Sequence, residues 1–282
     1  MSAAATAGSD LVMFWNLYEA GIERLAGRDE RWHAQRALVG ALRPRVLLTT
    51  EGWGWHRDGG ALFEDAKAAF GMDGELFTAR TGCHQAVFWQ RDIGRVAVER
   101  PSPELTHWHG HGLVTLRLPG WTTPLRFLVA HLDPFSPTGR RIESDHLRRY
   151  ADPALAPLVV GMDANSLPPG DPEPDWGLVP RHRRADHLGA DGRSDREPVR
   201  RLLGDPRDPL LADAGAHRGD RSPTYGTLGP GEAERRIDLL LLSPSLLPGL
   251  VSYASPDPWP GRPGGGPPAS DHRPVTIRLR RR

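Results

Sequence analysis

The sequence predicts a mixed α/β sandwich, and two observations carry this prediction. Short apolar runs of four to six residues outnumber the stretches with helical spacing. Several runs are apolar throughout, which is typical of strands covered on both faces of a sheet. We therefore expect strands, joined by both hairpins and parallel crossovers, at residues 11–15, 45–50, 85–90, 94–98, 113–118, 125–130, 158–161, 237–242 and 275–279.

Helical spacing is found in a few longer stretches. We expect helices from about Glu23 to Leu42 and from Ala61 to Phe70. A third begins at Ser136, a good N-cap followed by Pro137 at the first helical position, and runs to about Tyr150. No internal repeat or linker separates two cores, so the 282 residues predict one domain.

Two regions are expected to contribute little to the sheets. Residues 1–10 are predicted to form a flexible tail. Residues 166–231, rich in Pro, Gly, Arg and Asp, are predicted to form a long irregular insertion with a short helix around Pro198 to Leu203. Long irregular segments of a compact domain are often the rims of sites.

Composition limits the partners. The formal net charge of +1 does not favour nucleic acid, although it allows it. Cys83 is the only cysteine, which excludes an intramolecular disulfide and a zinc site built from several thiolates. The N-terminus lacks the features of a secretory signal, and no segment approaches the roughly 18 apolar residues of a membrane span. We therefore expect a cytoplasmic protein without a membrane span; a monomer is favoured, although the sequence does not determine the oligomeric state.

Polar residues recur where the predicted strands end. Asn16, Glu51 and His131 each close an apolar run, and Asp163 and Asn165 close a fourth. Asp238 lies within a strand, and Asp271 and His272 precede the last one. Each has an ordinary explanation alone, such as a turn or a helix cap. Their joint pattern instead predicts one site where the loops converge.

The residue types suggest metal-assisted hydrolysis. Glu51 and Asp271, with Asn16 and Asp163 beside them, offer the oxygen ligands that suit Mg²⁺ or Mn²⁺ bound together with water and a substrate phosphate. Asp163 and Asn165 lie two residues apart on a turn, so both can face an attacking water or the phosphoryl group.

Two histidines complete the predicted chemistry. His272, oriented by Asp238, can take a proton from water or assist the transition state. His131 can donate a hydrogen bond to a phosphate oxygen on which charge accumulates.

These motifs resemble those of the endonuclease/exonuclease/phosphatase superfamily, which includes pancreatic-type deoxyribonucleases, abasic-site nucleases, inositol polyphosphate 5-phosphatases and bacterial sphingomyelinases. The resemblance runs from Leu11 to Leu279. It rests on Trp15-Asn16, Thr50-Glu51, Ala130-His131-Leu132, Gly161-Met162-Asp163-Ala164-Asn165, Pro223-Thr224-Tyr225, Arg236-Ile237-Asp238 and Ser270-Asp271-His272-Arg273-Pro274. The Asp163 turn departs from the usual Gly-Asp-Phe-Asn or Gly-Asp-Leu-Asn by the inserted Met162 and by Ala164.

The resemblance implies a four-layer α/β/β/α sandwich of two mixed sheets and a metal-dependent hydrolase of phosphate esters. It makes Glu51 the principal metal ligand, with Asn16 and Asp271 nearby, and pairs His272 with Asp238. It places His131 where abasic-site nucleases carry tyrosine, which argues against an abasic-site enzyme. The alternative is a non-catalytic or repurposed member of the fold that binds a ligand or protein partner in the former active site.

The sequence does not decide whether the substrate is a nucleic acid or a small molecule. Tyr225 is a candidate contact, and Trp53 and Trp55 either stand at the mouth or pack under the following helix. The alternating His107, His109 and His111 would share one side of a strand, as a second metal site or as a rim surface. Asp133 either lies near the phosphate, which it would repel, or caps the helix that follows.

Overall fold

The computed structural model describes residues 8–101, 106–227, 231–258 and 268–281. In chain order its strands are β1 (Ser9–Asn16), β2 (Val46–Thr50), β3 (Met72–Phe77), β4 (Gln85–Gln90), β5 (Gly94–Glu99), β6 (His111–Arg117), β7 (Leu125–His131), β8 (Leu158–Asp163), β9 (Gly204–Asp205), β10 (Asp208–Pro209), β11 (Ala212–Asp213), β12 (Asp238–Leu242), β13 (Leu250–Ala254) and β14 (Val275–Arg280). Its α-helices are α1 (Ile22–Leu25), α2 (Glu30–Leu42), α3 (Ala61–Phe70), α4 (Pro137–Leu147), α5 (Arg181–Arg184), α6 (Glu197–Leu203) and α7 (Ala214–His217). None of these helices has the length and apolar character needed to cross a membrane.

The strands form two mixed six-stranded sheets. The first has the order β13-β14-β1-β2-β4-β3 and the second β11-β12-β8-β7-β6-β5. Each sheet contains one parallel pair, β1 with β2 and β7 with β8, among antiparallel neighbours. The predicted mixture of hairpins and crossovers is therefore confirmed.

Three apolar layers hold four layers of secondary structure together. Alternation within β1 explains the first two, because Val12 and Phe14 face the second sheet while Met13 and Trp15 face the helices. Trp32 of α2 and Phe63 of α3 cover that outer face. On the far side of the second sheet, α4 and α6 pack on the outward residues of β7, β8 and β12. The structure is thus the α/β/β/α sandwich that the resemblance implied, and burial on both faces explains the continuous apolar runs.

The register brings the predicted site residues to one edge of the sandwich. Asn16 pairs with Thr50, the residue before Glu51, at the ends of parallel β1 and β2. In the other sheet Asp163 lies between His131 on β7 and Asp238 on β12.

Several boundaries differ from the sequence prediction. The helix expected over 23–42 is split after α1, where Gly27 adopts a φ of 73°. The edge strands β3 and β13 were missed; β3 carries Asp73, Gly74 and Glu75, which weaken its strand pattern. Ser136 caps α4 as predicted, its Oγ accepting from Gly139 N at 3.0 Å.

Both regions expected to contribute little to the sheets contain residues in regular secondary structure. Of the predicted tail, residues 1–7 lie outside the described residues, whereas Ser9 and Asp10 belong to β1. The region 166–231, of which 228–230 are not described, contains several short strands and helices. Among them α6 matches the helix predicted around Pro198 to Leu203.

Candidate active site

A cavity of about 390 Å³ opens where the two sheets meet at this edge. Eight of the predicted site residues line it: Glu51, Trp53, His131, Asp163, Asn165, Tyr225, Asp271 and His272. A larger groove of about 1120 Å³ beside α6 is lined by none of the predicted site residues. The smaller cavity is therefore the candidate active site.

Asn16 joins the two sheets beneath this cavity. Its Nδ2 donates to Glu51 Oε1 at 3.0 Å and to Asp163 Oδ2 at 2.9 Å. Its Oδ1 accepts from the backbone N–H of Tyr18 at 3.0 Å, and this donor fixes which amide atom is which. Because the nitrogen faces the carboxylates, Asn16 is placed to hold them, and the expectation that it supplies a metal ligand does not match this arrangement.

Glu51 is held by backbone and side-chain donors. Its Oε2 accepts from Glu19 N at 2.9 Å and from Trp53 Nε1 at 3.3 Å. Six non-glycine residues have a positive φ in the described parts of the chain, and four of them, Tyr18, Glu19, Glu51 and Asn165, line the cavity. Such conformations cost about 1–3 kcal/mol each and persist only where surrounding contacts enforce them. These four conformations therefore lower the stability of the fold, and they orient side chains that line the cavity.

Asp163 is the buried centre of the site. Its Oδ1 accepts from Asn165 N at 2.9 Å, and Asn165 Nδ2 in turn donates to Leu132 O at 3.0 Å. His131 Nε2 lies 3.4 Å from Asp163 Oδ2. Although burial opposes ionisation, the neighbouring His131 and His272 lower the pKa of Asp163. The carboxylate is therefore a fixed negative charge that orients several neighbours.

His272 and Asp238 form the predicted pair. His272 Nδ1 lies 2.8 Å from Asp238 Oδ2, and Nε2 lies 3.9 Å from Asp163 Oδ2. Thr224 Oγ1 accepts from the Asp238 backbone N–H at 3.1 Å. The Tyr225 ring packs 4.6 Å from the imidazole, measured between centroids. The histidine is held from several sides, with Nε2 directed into the site.

The charges around His272 explain its basicity. Burial lowers its pKa, but Asp238, Asp271 and Asp163 together raise the pKa of His272 to about 10. Burial raises the pKa of Asp238 to about 6 against the opposing effect of His272. One imidazole thus shares its surroundings with several carboxylates.

Asp271 has a different environment from Asp163. Its Oδ1 is shielded from solvent and has no hydrogen-bond partner in the described part of the chain. Burial raises the pKa of Asp271, His272 opposes the shift and the charge of Glu51 adds to it. A shielded oxygen without a hydrogen bond, beside a second carboxylate, is an arrangement that a divalent cation would stabilise.

Other predicted residues lie elsewhere or act differently. Of the two places expected for Trp55, the mouth of the site is wrong and the position under the following helix is correct. Trp55 is 1% exposed and packs against Phe63 of α3 and against Phe88. Trp53 lines the cavity as predicted. Asp133 caps the turn before α4, its Oδ1 accepting from the backbone N–H groups of Phe135 and Ser136.

The histidine triplet does not share one side of a strand. Strand β6 begins only at His111, and the loop before it turns His109 toward His131, with ring centroids 4.4 Å apart. His107 instead packs on His111 at 4.5 Å between centroids. The alternation predicted that all three histidines face one side of a strand, but His107 and His109 lie in a loop and face different neighbours.

Sequence reasoning missed several residues that line the cavity: Glu19, Arg183, His187 and Arg235. Arg235 neighbours Arg236 of a recognised motif and lies 4.4 Å over the Tyr225 ring. Arg183 belonged to an arginine-rich stretch with interleaved acids, a pattern that usually indicates a solvated face. Proximity in sequence to a motif was the one available signal, and only Arg235 carried it.

Solved structures give the fold a name. An endonuclease/exonuclease/phosphatase from Bacteroides vulgatus superposes with a TM-score of 0.70 at 14% identity over 97% of this chain and 99% of its own. The mannosyl-6-phosphatase Bt3783 from Bacteroides thetaiotaomicron gives 0.65 at 15% identity, covering 95% and 98%. The human Nocturnin catalytic domain with bound sulfate gives 0.64 at 16%, covering 96% and 93%. This chain has the endonuclease/exonuclease/phosphatase fold.

Sequence comparisons add nothing to this result. No protein-family model matches the chain, and no curated protein matches it significantly.

Proposed function

We propose that the chain is a divalent-metal-dependent phosphoesterase, which hydrolyses a phosphate ester by attack of water. The observation that carries the proposal is the buried row Asp238, His272 and Asp163, in which one ligand atom of each lies within 4.8 Å of the others. Asn16 ties this row to Glu51. The similarity in fold to a mannosyl-6-phosphatase supports the same class of reaction.

The residues fit a hard divalent cation. Glu51 and Asp271 would hold it, because both line the cavity and Asp271 Oδ1 is a shielded oxygen that accepts no hydrogen bond in the described chain. Oxygen ligands suit Mg²⁺ or Mn²⁺. When bound, such an ion neutralises charge on the phosphate and makes water more acidic.

His272 handles the proton in this proposal. The hydrogen bond between Nδ1 and Asp238 holds the ring and leaves Nε2 facing the cavity. Because the pKa of His272 is raised to about 10, the imidazole is protonated at neutral pH and Nε2 donates to a phosphate oxygen. Tyr225 on one ring face limits rotation of the imidazole. A positioned acid–base group of this kind contributes about 10²–10⁴-fold to the rate.

Asp163, Asn165 and His131 orient the reactants. The Asn165 amide nitrogen is bound to Leu132 O, so its oxygen remains available to a water or to the substrate. His131, on the wall beside Asp163, donates to a phosphate oxygen as charge builds up there.

The cavity favours a small phosphate ester. Its volume of about 390 Å³ is at the lower end of the usual range for small-molecule sites, about 300–1,000 Å³. Arg183 and Arg235 line it as well and can pair with a second anionic group of the substrate. Trp53 and Tyr225 provide the apolar contacts.

A turnover screen tests this proposal. Substrates are an aryl phosphomonoester, a bis-aryl phosphodiester, sugar and inositol phosphates, sphingomyelin, DNA and RNA, each with Mg²⁺ or Mn²⁺. We expect turnover of a small ester that a chelator abolishes and that His272→Gln and Glu51→Gln each reduce by at least about 10²-fold. The exposed His33 supplies the matched control, His33→Gln.

Turnover that persists in chelator, or in both site variants, would contradict the mechanism. No turnover by folded, Mg²⁺-supplied protein on any of these substrates would favour the non-catalytic binding alternative.

A further inference from the structure

A second group of metal-ligating side chains lies on the wall of the cavity. Cys83, His109 and His131 are all buried, and one ligand atom of each lies within 4.8 Å of the others. Cys83 comes from the loop between β3 and β4, His109 from the loop before β6, and His131 from the end of β7. Three separate elements therefore converge on one point.

The spacing matches a tetrahedral zinc site. Zinc binds sulfur at about 2.3 Å and nitrogen at about 2.0 Å, so the tetrahedral angle separates the two ligand atoms by about 3.5 Å. Cys83 Sγ lies 3.6 Å from His131 Nδ1. In the absence of an ion, a weak hydrogen bond between Cys83 Sγ and His131 Nδ1 keeps these two atoms at the separation that zinc requires.

Both imidazoles have the outer partners that orient zinc ligands. Thr81 Oγ1 lies 2.9 Å from His109 Nδ1, which directs the other ring nitrogen away from this contact. His131 Nε2 lies 3.4 Å from Asp163 Oδ2, while its Nδ1 faces Cys83. A carboxylate behind a metal-binding histidine fixes the ring and raises its basicity.

An ion can reach this group from solvent. His109 and His131 line the open cavity, and Cys83 lies behind them with 0% exposure. The cavity side therefore leaves room for a fourth ligand, which water or a phosphate oxygen can supply.

We propose that Cys83, His109 and His131 form a zinc site distinct from the oxygen-rich Glu51–Asp271 site. One thiolate and two imidazoles prefer Zn²⁺, whereas carboxylates suit Mg²⁺ or Mn²⁺. Binding converts the Cys83 thiol to a thiolate and releases its proton to solvent. The sequence excluded a zinc site of several thiolates, but this one needs a single cysteine.

Zinc at this site would inhibit turnover. A bound ion would hold the His131 ring against Asp163, so that Nε2 could no longer turn to the substrate phosphate. This consequence rests on the proposed function, whereas zinc binding itself does not. Binding measured without substrate therefore separates a failure of the zinc site from a failure of the phosphoesterase proposal.

The experiment titrates the reduced full-length chain with Zn²⁺ in excess Mg²⁺, against a chromophoric zinc chelator. We expect one tightly bound zinc per chain, with release of protons. Cobalt in place of zinc should give a thiolate-to-metal charge-transfer band. Cys83→Ser should abolish the band and weaken zinc binding by at least about 100-fold, and Thr81→Val should weaken it by about 10–100-fold.

Matched variants distinguish this site from others. His109→Gln should behave like Cys83→Ser, and the exposed His33→Gln should bind zinc like wild type. Zinc binding that Cys83→Ser and His109→Gln leave unchanged, or that only Glu51→Gln removes, would overturn the proposal. If Cys83→Ser does not fold, absence of the cobalt band in wild type would overturn it equally.

Discussion

Two buried charged clusters lie side by side at the start of β12 and differ in how well their charges are matched. Arg236 donates from three nitrogens to the carboxylates of Asp171 and Asp213, with four contacts of 2.6–2.9 Å. Two residues later, Asp238 belongs to the cluster of the candidate active site, where carboxylates outnumber cations and Asp271 Oδ1 accepts no hydrogen bond from the described residues. The charges of the Arg236 cluster are fully paired within the protein, whereas the cluster that contains Asp238 has an excess of negative charge.

The difference separates structural from functional charge. A buried guanidinium with paired carboxylates is satisfied by the protein alone, so its purpose is to fix the segments that carry Asp171 and Asp213. The cluster of the candidate active site adds positive-φ residues and unbalanced acids, which lower stability unless a ligand binds there. Substitutions should therefore affect stability in the first cluster and ligand binding or turnover in the second.

The largest expected effect on stability comes from Arg236→Met. Removing the guanidinium leaves the buried Asp213 without its ion-pair partner and Asp171 with Arg221 alone, which should lower the free energy of unfolding by about 3–5 kcal/mol. Urea denaturation measures this difference, and Arg207→Met is the control because the Arg207 side chain is 95% exposed. A loss below about 1 kcal/mol would mean that the two clusters do not differ as proposed.

Much of the fold could be predicted because strands buried on both faces are apolar throughout. The central strands β1, β4, β7, β8 and β12 are of this kind, and each overlaps a predicted strand. Strand β3 is polar at alternate positions and lies at an edge, so its pairing with β4 decides its conformation rather than its own sequence. The break after α1 likewise depends on one glycine in a left-handed conformation.

The site could be predicted where strand register alone brings residues together. Asp163 and Asp238 are register partners, so their proximity follows from the fold. The orientation of Asn16, the burial of Trp55 and the turn of His109 toward Cys83 follow from loop conformations and from partners distant in sequence. A single sequence does not specify those contacts.

A smaller effect is expected from Asp271→Asn, which tests whether the cluster of the candidate active site lacks a bound cation. In chelator, the amide should stabilise the protein, because it removes a charge beside Glu51 and His272 is already paired with Asp238. Mg²⁺ at about 100 times its dissociation constant should stabilise wild type by about 2.7 kcal/mol and the variant much less. Thermal unfolding with and without Mg²⁺ measures both differences.

Equal stabilisation of wild type and Asp271→Asn by Mg²⁺ would exclude Asp271 as a ligand. If the variant is less stable than wild type in chelator, the Asp271 carboxylate does not destabilise the metal-free protein.

The smallest effect is expected at Glu173, a carboxylate that is fully hydrogen-bonded yet partly exposed. It accepts from Ser194 N and Oγ, from Trp176 Nε1 and from Arg196 Nη2, at 2.7–3.1 Å. Burial opposes ionisation, but these donors, led by Ser194, lower the pKa of Glu173 from 4.5 to about 2. Its ionised form therefore stabilises the fold above pH 4.5, and this contribution is lost as the pH falls toward 2.

Glu173→Gln should consequently lower the free energy of unfolding by at most about 1 kcal/mol at pH 7, because the side chain is 43% exposed and solvent screens its charge. The difference from wild type should shrink at pH 3, while Glu234→Gln, at an exposed acid, should show little change at either pH. A deficit that is constant from pH 7 to pH 3 would mean that packing, rather than charge, is what Glu173 contributes. In that case, a hydrogen-bonded carboxylate would contribute its charge to the free energy of unfolding only where it is buried, as Asp171 and Asp213 are around Arg236.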